Sequence, residues 1–239
     1  MIRLRNVSKK IEINKKKYIE VLSNITLDIE PGEITGLIGV NGAGKTTLIK
    51  LISELYKPSN GTIEYDFDLN RFSRKSSILS STQGLYKNFT VKNIISYFGY
   101  LQSDSFNFYS NDVASLIEIL CLKSVLEKNI NELSSGTHQK LLVLLAFIND
   151  PAIVLLDEPT YYLDFIGKIQ LEEIILSRKD NKYILYTSHN FKDIEKICTK
   201  CALLHEGKLL LYDKLINIYQ TNKSRNLEKI ICKKIQNSS

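Results

Sequence analysis

The sequence predicts an α/β fold with a mainly parallel sheet, and three stretches carry that prediction. A glycine-rich loop, Gly39 to Thr47, lies between the apolar run Ile34 to Ile38 and a segment that places Leu48, Leu51, Ile52 and Leu55 on one helical face. The run Ile153 to Leu156 is continuously apolar, as expected of a strand buried on both faces of a parallel sheet. Between these two, from Thr90 to Ile148, the apolar residues recur at helical spacing, which predicts an inserted helical subdomain.

Taken in order, Ile2 to Val7 and Tyr18 to Ile29 alternate as strands do, and Pro31-Gly32 makes the turn into the strand before the glycine-rich loop. Pro58 to Gly61 is a further turn, followed by short strands at Thr62 to Tyr65 and Ser77 to Ser81, the latter running up to Gln83. Thr90 reads as a helix N-cap ahead of Val91, Ile94, Ile95 and Phe98, and Val113, Leu116, Ile117 and Leu120 mark a second helix. Leu141 to Ile148 is the longest apolar run; it falls short of the ~18 to 20 residues that span a bilayer and fits a buried helix. Helices follow at Phe165 to Ser177 and Phe191 to Ile197, with the strand Tyr183 to Thr187 between them. Ala202 to Leu204 and Leu209 to Tyr212 form a closing hairpin around Glu206-Gly207.

At 239 residues and 44% hydrophobic, the chain can bury a full core. The expected organisation is one domain over residues 1–222, with the helical insertion at about 86–150, and a polar tail over 223–239. In that tail Leu227, Ile230, Ile231 and Ile235 can line one short helix. The start MIRLRNVSKK lacks the apolar core of a signal peptide, so a cytoplasmic location is expected. Cys198 and Cys201 form a CxxC, but Cys121 and Cys232 are distant, so the four cysteines read as buried thiols rather than a zinc set. The net charge of +6 is spread in short clusters such as Lys15 to Lys17, which is a solvated surface and not a nucleic-acid stripe.

The chemistry starts at the glycine-rich loop. Gly39, Gly42 and Gly44 free the backbone to turn its N–H groups around phosphates, and the following helix aims its positive end at the same anion. The stretch Gly39, Asn41, Gly42, Ala43, Gly44, Lys45, Thr46 and Thr47 is therefore a nucleotide-phosphate cradle. Lys45 supplies a mobile charge for the β and γ oxygens, and the Thr46 hydroxyl suits Mg²⁺. Asp157, at the exit of the apolar strand, would hold Mg²⁺ directly or through water. Glu158, one residue on, would orient or polarise the attacking water.

Together with LSSGTHQK at Leu133 to Lys140, these motifs closely resemble those of the ATP-binding-cassette ATPases, over nearly the whole chain and in the right order, with the polar tail outside. The resemblance implies a P-loop nucleotidase core with a mainly parallel sheet, an N-terminal antiparallel β subdomain and an inserted α-helical subdomain. It also implies ATP and Mg²⁺ as cofactors. By the same resemblance Leu133, Ser134 and Gly136 form the signature that closes over a second subunit's nucleotide, and Tyr18 stacks on adenine. Gln83 senses Mg²⁺ and water, Asp164 belongs to the loop crossing to the other subunit, and His189 contacts the γ-phosphate. His138 and His205 match no such role.

Three departures from the family pattern stand out: Ser135 in place of a glycine, Thr137 in place of a glutamine, and Tyr161-Tyr162 in place of small residues. None removes Lys45, Asp157, Glu158 or His189, so hydrolysis is expected to be retained. The implied partners are a second cassette subunit, identical or different, and a separate membrane permease that holds the chain at the cytoplasmic face; no nucleic acid is expected. The stretch Gln83 to Ile94 and the signature variant look most like the branch with separate export permeases. Two alternatives stay open: a soluble cassette ATPase without a permease, acting in DNA repair, translation or assembly, and a regulatory subunit that does not hydrolyse ATP.

Overall fold

The structure, a computed structural model, describes residues 1–14, 17–66, 76–80 and 88–238. The chain divides into two compact units, Met1–Phe67 with Tyr183–Ser239, and Asp68–Lys182.

In the first unit, β1 (Ile2–Asn14) pairs antiparallel with β2 (Lys17–Ile29) on one side and β4 (Asn60–Tyr65) on the other. Ile2, Leu4 and Val7 of β1 and Ile25, Leu27 and Ile29 of β2 are fully or almost fully buried, so one face of this sheet is core and the other is wet. The strands run longer than the alternation in the sequence indicates, because β1 and β2 continue as a hairpin whose outer half exposes Ile13, Tyr18 and Ile19.

The second sheet of this unit centres on β3 (Ile34–Ile38), every residue of which is buried. It lies parallel to β7 (Tyr183–Ser188) on one side and to β8 (Lys200–His205) on the other, and β9 (Lys208–Lys214) returns antiparallel to β8. Helix α1 (Lys45–Ile52) leaves the loop after β3 with Leu48, Ile49, Leu51 and Ile52 buried. Leu55, expected on that face, lies beyond the helix end and is 64% exposed, because the helix stops at the Ser53 cap.

The second unit pairs β5 (Ser76–Ser80) parallel with β6 (Ile153–Asp157), which is buried at all five positions. The predicted strand end at Ser81 lies outside the described residues. Helix α2 (Val91–Gln102) is capped by Thr90, whose hydroxyl accepts from the Asn93 N–H at 3.1 Å, and α3 (Asn111–Ile119) by Ser110. Helix α4 (Ser135–Phe147) buries every residue from Leu141 to Phe147, all around its circumference. Helix α5 (Phe165–Arg178) follows β6 and buries Leu171, Ile174 and Ile175. Its Arg178 reaches Asp112 of α3 at 2.7 Å.

The remaining helices, α6 (Phe191–Ile197), α7 (Leu215–Asn222) and α8 (Leu227–Gln236), belong to the first unit. The polar tail forms α8, which seats Leu227, Ile230 and Ile231 and leaves its lysines in water. Cys198 and Cys201 are buried, but Cys121 and Cys232 are exposed, which corrects the expectation of four buried thiols. Cys121 sits at the α3 end with φ 55, and Cys232 lies on the outward face of α8; neither setting has a core to enter.

Candidate nucleotide site

The phosphate loop forms at the carboxyl end of β3, where a parallel sheet gathers its ligands. Gly44 caps α1 at φ 108, a conformation closed to most side chains, and so starts the helix with its first N–H groups uncovered. A Cβ on Gly39 would lie 2.4 Å from the Leu204 carbonyl oxygen, so only glycine lets the loop pass β8. The Ala43 N–H donates to the Val40 carbonyl at 3.1 Å, closing the turn. Asn41 and Gly42 form its exposed rim, Ala43 is buried beneath, and Thr46 is exposed beside the half-buried Thr47.

Lys45 is 7% exposed, and its Nζ donates to the Gly39 carbonyl at 2.7 Å. The ammonium is thus desolvated and held across its own loop by a carbonyl that a phosphate oxygen can replace. His189 follows β7 directly and is exposed, and Tyr18 on β2 is 60% exposed, presenting its ring to solvent. An exposed tyrosine ring is suited to stacking on a flat heterocycle.

The second unit holds the acidic and signature groups. Asp157 ends β6 and is 8% exposed; Glu158 follows in the left-handed region at φ 49. Ser134 caps α4, its Oγ accepting from the Thr137 N–H at 3.2 Å and lying 2.9 Å from the Thr137 hydroxyl. The threonine at this place therefore holds the capping serine through its own side chain. Ser134 and Ser135 are exposed, Leu133 and Gly136 half-buried, so the positive end of α4 faces solvent. His138, one turn in, is half-buried, and burial pushes its pKa down, leaving a neutral imidazole at pH 7.

Asp164 caps α5, its Oδ1 accepting from the Gly167 N–H at 2.7 Å, while Tyr161 and Tyr162 stack edge to face with centroids 4.8 Å apart. Gln83 lies outside the described residues. Sequence reasoning passed over one group: Gln139, which is 1% exposed and donates from Nε2 to the Pro159 carbonyl at 2.8 Å, next to Glu158. It stands among the polar residues Ser134 to Lys140, ahead of the apolar run from Leu141, and nothing in the sequence set it apart from them.

A glycine loop that feeds Lys45 and Thr46 into a helix, beside a parallel strand, defines a phosphate-loop nucleotide-binding protein. The family description "ABC transporter" matches residues 22–161. The ABC transporter ATP-binding protein NatA of Bacillus subtilis is 30% identical over 98% of both chains, a match that takes in the C-terminal helix as well. The bacitracin transport ATP-binding protein BcrA of Bacillus licheniformis is 32% identical over 79% of this chain and 63% of its own. A solved structure of an ATP-binding subunit of an ABC transporter superposes with a TM-score of 0.88 at 25% identity, covering 98% of this chain and 99% of that one. The chain belongs to the ABC transporter ATP-binding family. It is an ATPase subunit that binds ATP with Mg²⁺ and powers a transporter. Such subunits work as dimers with separate membrane permeases.

Proposed function

We propose that this subunit drives export, pairing head to tail so that each ATP lies between the phosphate loop of one subunit and the signature of the other. The observation that carries the pairing is the solvent-facing positive end of α4, where Ser134, Ser135 and Gly136 sit ready for an anion supplied by a partner. In this reading Gly39, Asn41, Gly42, Ala43, Gly44, Lys45 and Thr47 hold the phosphates, and Tyr18 stacks on the adenine. Thr46 contributes a hydroxyl and Asp157 a carboxylate, the hard oxygen donors that Mg²⁺ prefers. That ion neutralises charge on the phosphates.

Glu158 orients and polarises the attacking water, His189 contacts the γ-phosphate, Gln83 reports on Mg²⁺ and water, and Asp164 crosses to the partner. ATP favours the closed dimer because the γ-phosphate touches both surfaces, and hydrolysis reopens it. Among the described residues no helix is long and apolar enough to cross a membrane. In this reading a separate permease holds the chain at the cytoplasmic face and supplies the path. The stretch Gln83 to Ile94, with its likeness to export-type subunits, supports the direction.

The test compares steady-state ATP hydrolysis by the purified chain with that of Glu158→Gln, with light scattering to follow assembly. Slow turnover cut by the substitution to a small residual rate, with a trapped ATP-bound dimer, is the expected result. Absence of both turnover and dimer would overturn a self-sufficient pair of identical subunits, in favour of a mixed pair or of a subunit active only on its membrane partner. Direction is read in inverted membrane vesicles holding the chain and its co-purifying permease. ATP-driven accumulation of a labelled substrate supports export, and depletion rules it out.

A further inference from the structure

Helix α4 grips the turn that follows β6 at two places. Gln139 is 1% exposed, and its Nε2 donates to the Pro159 carbonyl oxygen at 2.8 Å. One helical turn earlier, a Cβ on Gly136 would lie 3.2 Å from the Tyr162 carbonyl oxygen, so the backbone of the signature rests against the far end of the same turn. Between these points the turn closes on itself. The Tyr161 N–H donates to the Glu158 carbonyl at 3.2 Å, and the Leu163 N–H to the Thr160 carbonyl at 3.1 Å.

The residue at the head of this turn needs such a grip. Glu158 sits at φ 49 and immediately precedes a proline, a combination that an unconstrained glutamate avoids. A residue in that region persists only where its surroundings hold it there. Pro159 and Thr160 are buried, and the Gln139 amide, itself inside the protein, is a donor to this segment from outside it. Losing that donor leaves a buried carbonyl without its partner and loosens the residue beside it.

We propose that Gln139 is a positioning residue for Glu158: it anchors the Glu158 to Leu163 turn to the first turns of α4, so that the water-polarising carboxylate and the signature Ser134 to Gly136 move as one piece. The proposal rests on the reading of Glu158 given above. One consequence is a link between the two nucleotides of a dimer. A shift of α4 on engaging the partner's ATP is carried by Gln139 to the carboxylate that acts on the chain's own ATP.

The experiment is single-turnover hydrolysis of γ-labelled ATP by the full chain, over a range of ATP concentrations, for Gln139→Leu in the wild-type and Glu158→Gln backgrounds. Leucine keeps most of the volume and cannot donate. The rate constant is expected to fall about tenfold in the wild-type background, as a small misplacement of a reacting group does, with half-saturating ATP unchanged. In the Glu158→Gln background the residual rate should change less than about twofold, because the group being positioned is already gone.

A wild-type rate for folded Gln139→Leu, or an equal fall in both backgrounds, overturns the proposal. Should Gln139→Leu not fold, judged by its thermal melt, Gln139→Met is measured in its place. Failure of both to fold makes Gln139 structural and also overturns it. Glu158→Gln at the full wild-type rate would instead sink the underlying reading of Glu158, an outcome visible before Gln139 is touched.

Discussion

Single side chains here owe their chemistry to where the backbone leaves them. Lys45 and Asp157 are charged groups taken almost out of water, and each sits at the carboxyl end of a strand buried at every position. Burial of that kind strengthens electrostatic contact with a bound anion or cation. The cysteines show the opposite use of burial. It pushes the Cys201 thiol up to about 12, with Glu195 adding to the effect, and raises Cys198 well above its ordinary value. Both stay protonated and shielded at pH 7, whereas Cys121 and Cys232 are exposed. A maleimide should therefore label the two exposed thiols within minutes in the native protein and the other two only after denaturation, as counted by intact mass. Fast labelling of all four would contradict the buried placement.

At the scale of elements, α4 joins two demands that its sequence meets at different ends. Its first turn presents polar groups, capped by Ser134; from Leu141 onward it is apolar on every side because protein surrounds it. Cavity formation governs substitutions there. Leu144→Ala should destabilise the chain by about 2–5 kcal/mol, read as a lower urea midpoint with little change in slope. A loss under about 0.5 kcal/mol, the range of surface substitutions, would mean that the site is not enclosed. The glycine-rich loop and α1 make a second such pairing of roles. Gly44 starts the helix while leaving its first N–H groups for phosphate, so the same residue serves as cap and ligand cradle.

At the scale of the whole chain, ionic ties join segments far apart in sequence. Lys200 on β8 is 6% exposed and meets Glu30 at 2.8 Å and Glu33 at 2.7 Å, with Lys214 of β9 at 3.0 Å from Glu33. Burial pushes the Glu33 carboxyl up, but the hydrogen bonds from Lys200 and Lys214 outweigh it and hold its pKa below the ordinary 4.5. A lowered folded-state pKa contributes stability above the ordinary carboxylate value and loses it as pH falls through the lowered one. Thermal melts between pH 7 and pH 3 should show a steeper acid-side fall in Tm for wild type than for Glu33→Gln. Parallel curves for the two would exclude Glu33 as a contributor to acid lability.

The sequence by itself determined the α/β class, the order of the elements and the nature of the chemistry. Those features rest on short-range rules: helical and strand periodicity, glycines before Lys45-Thr46, a carboxylate pair after a wholly apolar strand, and a serine cap three residues before Thr137. The tertiary structure decided what depends on neighbours remote in the chain. Leu55 looked like a core residue until the end of α1 put it in water, and Cys121 and Cys232 looked like core thiols until their elements turned them outward. Gln139 carried no signal of its own, one polar residue among the polar run Ser134 to Lys140. Its role emerged when the chain brought the Pro159 carbonyl, twenty residues away, within 2.8 Å of its amide. Periodicity records which face of an element is apolar, and only packing sets which groups meet across it.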